Sequence, residues 1–299
     1  MKHSSAQGFT VVELMIGTAM LLVVLSAALS FFSRSQAVYT NERVTLDMVQ
    51  DMRTVFDRFT NEIRMAGAGL PAPRGVIEGT AKSLIVRGDF NEIATIVTSI
   101  GSISIAGSTA TFPVGTTSGF AAGQTVSLLN NQKGWAALAK ITEVNVADRT
   151  ITIDADDLYP LNAGTDITSF SAGSIINVIE RRTYSIITTG NENDIGAITR
   201  TVAYENTQTA GAVIQPTEII ARHVRDETGA PGLTFNFFKA DGTPAVNADG
   251  TADKDATRKV EIKLQARSAN PDLQTGRYRT FSYTALVQVR GQYAPSVGF

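Results

Sequence analysis

From Leu14 to Ser33 no charged residue interrupts the chain, and the apolar run containing this stretch opens with a single carboxylate, Glu13. About 20 predominantly apolar residues suffice to cross a bilayer as a helix, so this stretch reads as a membrane-spanning helix. A carboxylate in such a run costs roughly 2.5–3.5 kcal/mol at the helix centre and less near an end, so Glu13 needs a partner. Cleavage between Gly8 and Phe9 would supply one, because the new α-amino group sits on the same helix, i to i+4 from Glu13. It would neutralise the carboxylate of its own chain or of a neighbouring subunit. A secretory signal peptide would instead place a small-residue cleavage site after the apolar run, where Ser35-Gln36-Ala37 would serve. A plain signal anchor has no use for Glu13. Lys2 in the short polar leader places the N-terminus on the cytoplasmic side.

No proline occurs between Phe9 and Leu70, and Gly17 is the only glycine from Phe9 to Ala66, so one continuous helix is permitted. Beyond Arg34 the pattern becomes amphipathic. Val49, Met52, Phe56, Phe59 and Ile63 recur at three- and four-residue steps, with Asp47, Asp51, Asp57, Arg58 and Glu62 on the opposite face. The expected organisation is a leader over 1–8, a membrane-spanning half over 9–33 and an amphipathic half over 34–66. Gly67, Gly69, Pro71 and Pro73 stop the helix.

The remainder, 75–299, reads as a β-rich head. Strands are expected at Ser83–Arg87, Thr125–Leu129, Lys140–Asn145, Thr150–Asp154, Ile175–Glu180, Thr183–Thr188, Leu233–Phe238, Lys259–Ala266 and Thr280–Arg290. Lys259–Gln265 alternates polar and apolar residues, as a half-buried antiparallel strand does. Residues 106–173 differ in texture, being rich in Gly, Thr and Ser, and are expected to form a small inserted β subdomain, barrel-like in outline. The fold class is therefore α+β, a long N-terminal helix packed on an antiparallel sheet.

Composition excludes several functions. The chain has no cysteine, which rules out disulfides and thiolate metal sites. Only His3 and His223 are histidines, so a Ser-His-Asp triad or a multi-histidine zinc site is hard to build, and His223 reads as a surface or packing residue. A formal net charge of −2 gives no electrostatic case for nucleic acid. Arg181, Arg182, Arg200, Arg222 and Arg225 are either a local basic patch for DNA or arginines scattered on strand edges. Asp249, Asp253 and Asp255, near Asp241 and Asn247, form an oxygen-rich stretch that suits calcium or simply an acidic hairpin loop, and the spacing is not that of an EF-hand. Trp135 marks either a binding face or subdomain packing. No phosphate loop or nucleophile elbow stands out, so no catalytic residue, enzyme activity or cofactor is expected.

The segment Gly8-Phe9-Thr10-Val11-Val12-Glu13-Leu14 resembles the processing motif of type IV prepilins. Asp57-Arg58-Phe59-Thr60-Asn61-Glu62-Ile63-Arg64-Met65-Ala66-Gly67 is similar to the helix end of PilW-type minor pilins. Arg182-Thr183-Tyr184-Ser185-Ile186, Ile198-Thr199-Arg200 and Leu233-Thr234-Phe235-Asn236-Phe237 resemble successive strands of that family. Arg258–Arg267 and the stretch from Tyr278-Arg279-Thr280 through Val289-Arg290 resemble its last two strands, and the likeness is faint across 106–173. This resemblance implies a type IV pilin-like fold. It implies cleavage after Gly8 and methylation of the Phe9 amine by prepilin peptidase, with Glu13 acting in assembly. The implied partners are major and minor pilins and an inner-membrane assembly platform. The protein would sit in the inner membrane with a periplasmic head, then in a surface pilus where it primes or caps the filament. Two alternatives remain open: a J-type pseudopilin of a type II secretion system, and an adhesive or DNA-binding module carried on the pilus.

Overall fold

The computed structural model describes residues 10–71, 75–98, 103–188, 195–204, 213–227, 230–268, 271 and 276–289. A single helix, α1, runs from Val11 to Met65, and its 55 residues reach about 83 Å at 1.5 Å each. Its first stretch buries nothing against the rest of the chain, and it is long and apolar enough to span a membrane. Among the helical residues whose side chains are described, Met48 is the first to be buried. From there Met48, Met52, Val55, Phe59 and Ile63 form the packed stripe. Met48 and Val55 therefore occupy the deep positions that the sequence pattern assigned to Val49 and Phe56, which are half-buried. The helix ends at a cap on Ala66, and the amide of Gly67 then donates to the carbonyl of Arg87 at 2.8 Å.

Two strands follow, β1 (Val76–Gly79) and β2 (Ser83–Gly88). A second group comprises β3 (Ala94–Ile96), β4 (Ser104–Ala106), β5 (Thr109–Pro113), β6 (Thr125–Asn130), β7 (Trp135–Asn145), β8 (Thr150–Asp154), β9 (Tyr159–Pro160) and β10 (Ile175–Val178). The chain then returns through β11 (Glu180–Thr188), β12 (Ile195–Tyr204), β13 (Val213–Glu227), β14 (Ala230–Pro231), β15 (Leu233–Phe238), β16 (Lys259–Arg267) and β17 (Thr280–Gln288). The architecture is α+β, with one long helix and two antiparallel sheets.

The first sheet has the order β1-β2-β11-β12-β13-β16-β15, with β14 on β13 and β17 on β16. One face carries Leu84, Val86, Tyr184, Ile198, Phe235, Ile262 and Leu264 onto the helix stripe. Phe59 is at its centre, edge-on to both Tyr184 and Phe235, with centroids 4.6 and 6.2 Å apart. β16 buries Val260, Ile262 and Leu264 as its alternation requires.

The second sheet has the order β3-β10-β6-β7-β8-β5-β4. Val97, just past β3, bridges to Val114, just past β5, and the amides of Thr98 and Gly115 donate across this seam at 3.0 Å each. The seam joins β3 to β5, so β3, β10, β6, β7, β8 and β5 close into a six-stranded barrel, with β4 outside the ring on β5; the barrel is filled by Phe112, Leu128, Ile141, Ile151, Phe170 and Ile176 among others. This unit spans Ala94 to Val178 and so extends beyond the expected 106–173 at both ends. Gly88 pairs with Glu180 across the first sheet, so the chain leaves and re-enters that sheet at opposed positions. A continuous strand through Ile175–Glu180 was expected; instead the chain changes sheets at Ile179, whose side chain is buried with Leu70, Ala136, Leu138 and Leu161 between the two units.

Gly69, at φ +71°, lies in the turn after the helix. A Cβ there would press on Asn177 at 3.1 Å and Asp89 at 3.2 Å, and the positive φ itself favours glycine. The carbonyl of Gly69 accepts from the Ser127 hydroxyl at 2.5 Å, which fastens the helix end to the barrel wall.

Candidate functional site

Of the residues assigned to N-terminal processing and assembly, Gly8 and Phe9 lie outside the described residues. Glu13 occupies the third position of α1, where Thr10 is the N-cap. The Thr10 hydroxyl accepts from the Glu13 amide at 3.2 Å, and Glu13 Oε2 accepts from the Thr10 amide at 3.0 Å and from its hydroxyl at 2.9 Å. This is a capping box: each residue satisfies an otherwise unpaired group of the other's backbone. Thr10 was not singled out in the sequence, although the Thr-x-x-Glu spacing before an apolar run carries that signal. The carboxylate is thus held at the start of the helix.

At the other end of α1 lies a cluster of ionised groups buried where helix, first sheet and barrel meet. Glu62 comes from the helix, Arg182 and Glu180 from β11, and Arg200 from β12. Glu62 Oε1 accepts from Arg182 Nη1 at 2.7 Å, Arg200 Nη2 at 3.1 Å and Arg58 Nε at 3.3 Å. Its Oε2 accepts from Arg200 Nε at 3.3 Å. Arg182 Nη2 also reaches Glu180 at 2.9 Å, Arg200 Nη1 reaches Glu218 at 3.0 Å, and Arg58 Nη2 reaches Glu218 at 3.2 Å. Three arginines thus face three glutamates, and the cluster is neutral. The Arg182 guanidinium lies 4.1 Å from the centroid of the Phe90 ring. Asn91 donates its amide to Glu180.

This arrangement corrects two expectations. Glu62 was assigned to the polar face of the helix, yet it is only 7% exposed. Arg182 and Arg200 were weighed as part of a basic patch or as strand-edge arginines; they are 8% and 4% exposed and their charge is spent internally. Of the same set, Arg222 is exposed on β13. A cleft of about 510 Å³ opens beside the cluster, bounded by Arg58, Glu62, Phe90, Gln124, Arg182 and Tyr204. The cluster holds no nucleophile paired with a base. Its physical effect is to fasten the last turns of α1 to two strands of the sheet.

Asp89, next to this junction, is 7% exposed and its carboxyl is pushed up to about 6 by burial. Amides of Ile93, Glu92 and Asn91 oppose the shift, and the charge of Glu180 adds to it.

Two of the calcium candidates, Asp249 and Asp253, accept hydrogen bonds from their own turns. Asp249 Oδ1 accepts from the amide of Thr251 at 3.0 Å and its hydroxyl at 2.6 Å, contacts that hold its carboxyl below the usual range. Asp253 Oδ1 accepts from the amides of Asp255 and Ala256 at 3.1 Å each. These carboxylates close turns, and among the described residues no three acidic, histidine or cysteine side chains are grouped to hold a metal ion. Trp135 is half-buried at the edge of the barrel core, with Lys133 Nζ 4.5 Å from its ring centroid. His223 lies in β13.

Neither a family model, nor a curated protein, nor a solved structure matches the chain.

Proposed function

We propose that the chain is a minor subunit of a type IV pilus, with a type IV pilin-like head and an inserted barrel, that primes or caps filament assembly. The observation that carries this reading is the single continuous α1. It is bare and apolar at the start, and from Met48 onward it is packed on an antiparallel sheet. A prepilin peptidase cuts after Gly8 and methylates the amine of Phe9. The helix then holds the subunit in the inner membrane with the head in the periplasm. The assembly platform moves it into a filament of other major and minor pilins. In this scheme Glu13 exchanges its Thr10 cap for the Phe9 amine of its own chain or a docked neighbour, since an unpaired carboxylate in low dielectric is costly. The chemistry resides in the partners, and the chain works without a cofactor or nucleic acid.

Mass spectrometry of the membrane and pilus fractions tests the reading. The mature chain is expected to begin at a methylated Phe9, and Gly8→Val is expected to retain the leader. A mature start near Val38, or an intact Met1 in the wild-type protein, refutes it.

A further inference from the structure

Exposed sheet edges carry unpaired amides and carbonyls, and proteins blunt them with lysine, proline, bulges or covering segments. The barrel closes its ladder at Val97 and Val114. In the first sheet, Gly79 at the end of β1 accepts the amide of Ala252 at 2.8 Å. β15 is covered as well: the Phe235 amide donates to Ala81 at 3.0 Å, and the Phe237 carbonyl accepts from Ala245 at 2.9 Å. β17 is different. It pairs with β16 from Thr280 to Gln288 without a register break, and among the described residues nothing pairs with its other edge.

The sequence of β17, Thr-Phe-Ser-Tyr-Thr-Ala-Leu-Val-Gln, contains no charge, proline or glycine. Among the described residues none of the usual protections is present. One row, Phe281, Tyr283 and Ala285, is half-buried against the helix-side core, and Phe56 of α1 lies 5.6 Å from Tyr283 between ring centroids. On the other row Leu286 is 58% exposed. Nine extended residues offer about 30 Å of edge.

We propose that the free edge of β17 is a strand-addition site, filled by an extended segment of a different protein that carries no charge on the row facing α1 and places apolar side chains there. On the row that faces α1 a charged residue of the added strand would lose water and, with no charge on β17, gain no counter-ion, which sets the first property. The half-buried Phe281–Tyr283–Ala285 row sets the second, because same-face neighbours across a ladder lie about 4.5–5.5 Å apart. A second copy of this chain is a poor occupant. β16 already takes one edge of β17, so a copy must offer the same edge, which makes the pair antiparallel about a two-fold normal to the sheet. That operation reverses α1, which lies along the sheet, and sends the two apolar helix ends in opposite directions. Two subunits anchored in one membrane cannot pair so; this exclusion rests on the membrane-spanning reading above.

The test places photoreactive p-benzoylphenylalanine at Ser282, Thr284 or Leu286 of the full-length chain in its own cells, with Lys263 on β16 as the control position. Cross-linked peptides are mapped by mass spectrometry. All three positions are expected to reach one segment of one other protein, with the contact point moving two residues along it at each step. Ser282→Lys combined with Leu286→Lys is expected to lower the Thr284 cross-link at least ten-fold with an unchanged thermal midpoint; Thr284→Lys alone, read from Ser282, guards against misfolding of the pair. Cross-links to a second copy, to residues 290–299 of the chain itself or to scattered sites overturn the proposal. So does the absence of a cross-link, or a yield that the lysines leave unchanged. The N-terminal mass, read in the same samples, reports separately on the pilin reading.

Discussion

Replacing Glu62 by glutamine removes one negative charge and almost no volume from the buried cluster. The wild-type carboxylate receives Arg58, Arg182 and Arg200 at 2.7–3.3 Å, so the neutral amide leaves three arginines facing two glutamates. Removing one partner of a buried pair costs roughly 3–5 kcal/mol, because the other charge remains in low dielectric without compensation. Arg182 retains Glu180 and Arg200 retains Glu218, which favours the lower part of that range. The expected loss is therefore about 3 kcal/mol, or a fall of about 6–12 °C in Tm for a domain of this size. Urea unfolding of the full-length protein in detergent, followed by circular dichroism, reads it. Glu218 is 43% exposed at its side chain, and Glu218→Gln serves as the control. It is expected to cost less than about 1 kcal/mol, as exposed pairs do. A double-mutant cycle between Glu62 and Arg200 should give a coupling above about 1 kcal/mol. A Glu62→Gln loss no larger than that of Glu218→Gln would refute the claim that this cluster fastens the helix to the head.

Phe59→Ala empties a fully buried position between Tyr184 and Phe235 and is expected to destabilise by about 3–5 kcal/mol in the same unfolding assay; a negligible loss refutes its packing. Asp89 has its carboxyl raised to about 6 from 3.8, so the folded state holds that proton more tightly than the unfolded chain. Its contribution is favourable at low pH, is lost as pH rises through this window, and is level above it, with ionisation costing up to about 3 kcal/mol. Asp89→Asn, whose oxygen still accepts from the Ile93 amide, is expected to stabilise at pH 8 and lose that advantage by pH 4; an equal effect at both values contradicts the assignment. Glu13→Val should leave cleavage at Gly8 intact while surface pili, counted by electron microscopy, fall sharply. Normal piliation would make the carboxylate dispensable.

Local pattern alone determined the helix, its continuity and its stop, because an uninterrupted run without proline and a glycine-rich end are properties of neighbouring residues. The same holds for β16, whose alternation survives into the fold, and for the absence of cysteine chemistry. Tertiary structure decided the rest. β12 was touched only through Ile198-Thr199-Arg200, and β13 was not foreseen as a strand. Pro216 and a run of charged residues interrupt the pattern of β13, and four register breaks between the two strands disturb the alternation that a sequence reading relies on. The change of sheet at Ile179 was also invisible, since residues on either side of it are equally strand-like and only the closure of the barrel assigns them to different ladders. Glu62 carries the main lesson. On a helical wheel a carboxylate beside Arg58 belongs to solvent; it becomes interior only because Arg182 and Arg200, 120 and 138 residues further on, arrive from two strands to neutralise it. Burial of a charge depends on what faces it, and that is settled by chain crossings distant in sequence rather than by the residue's own neighbours.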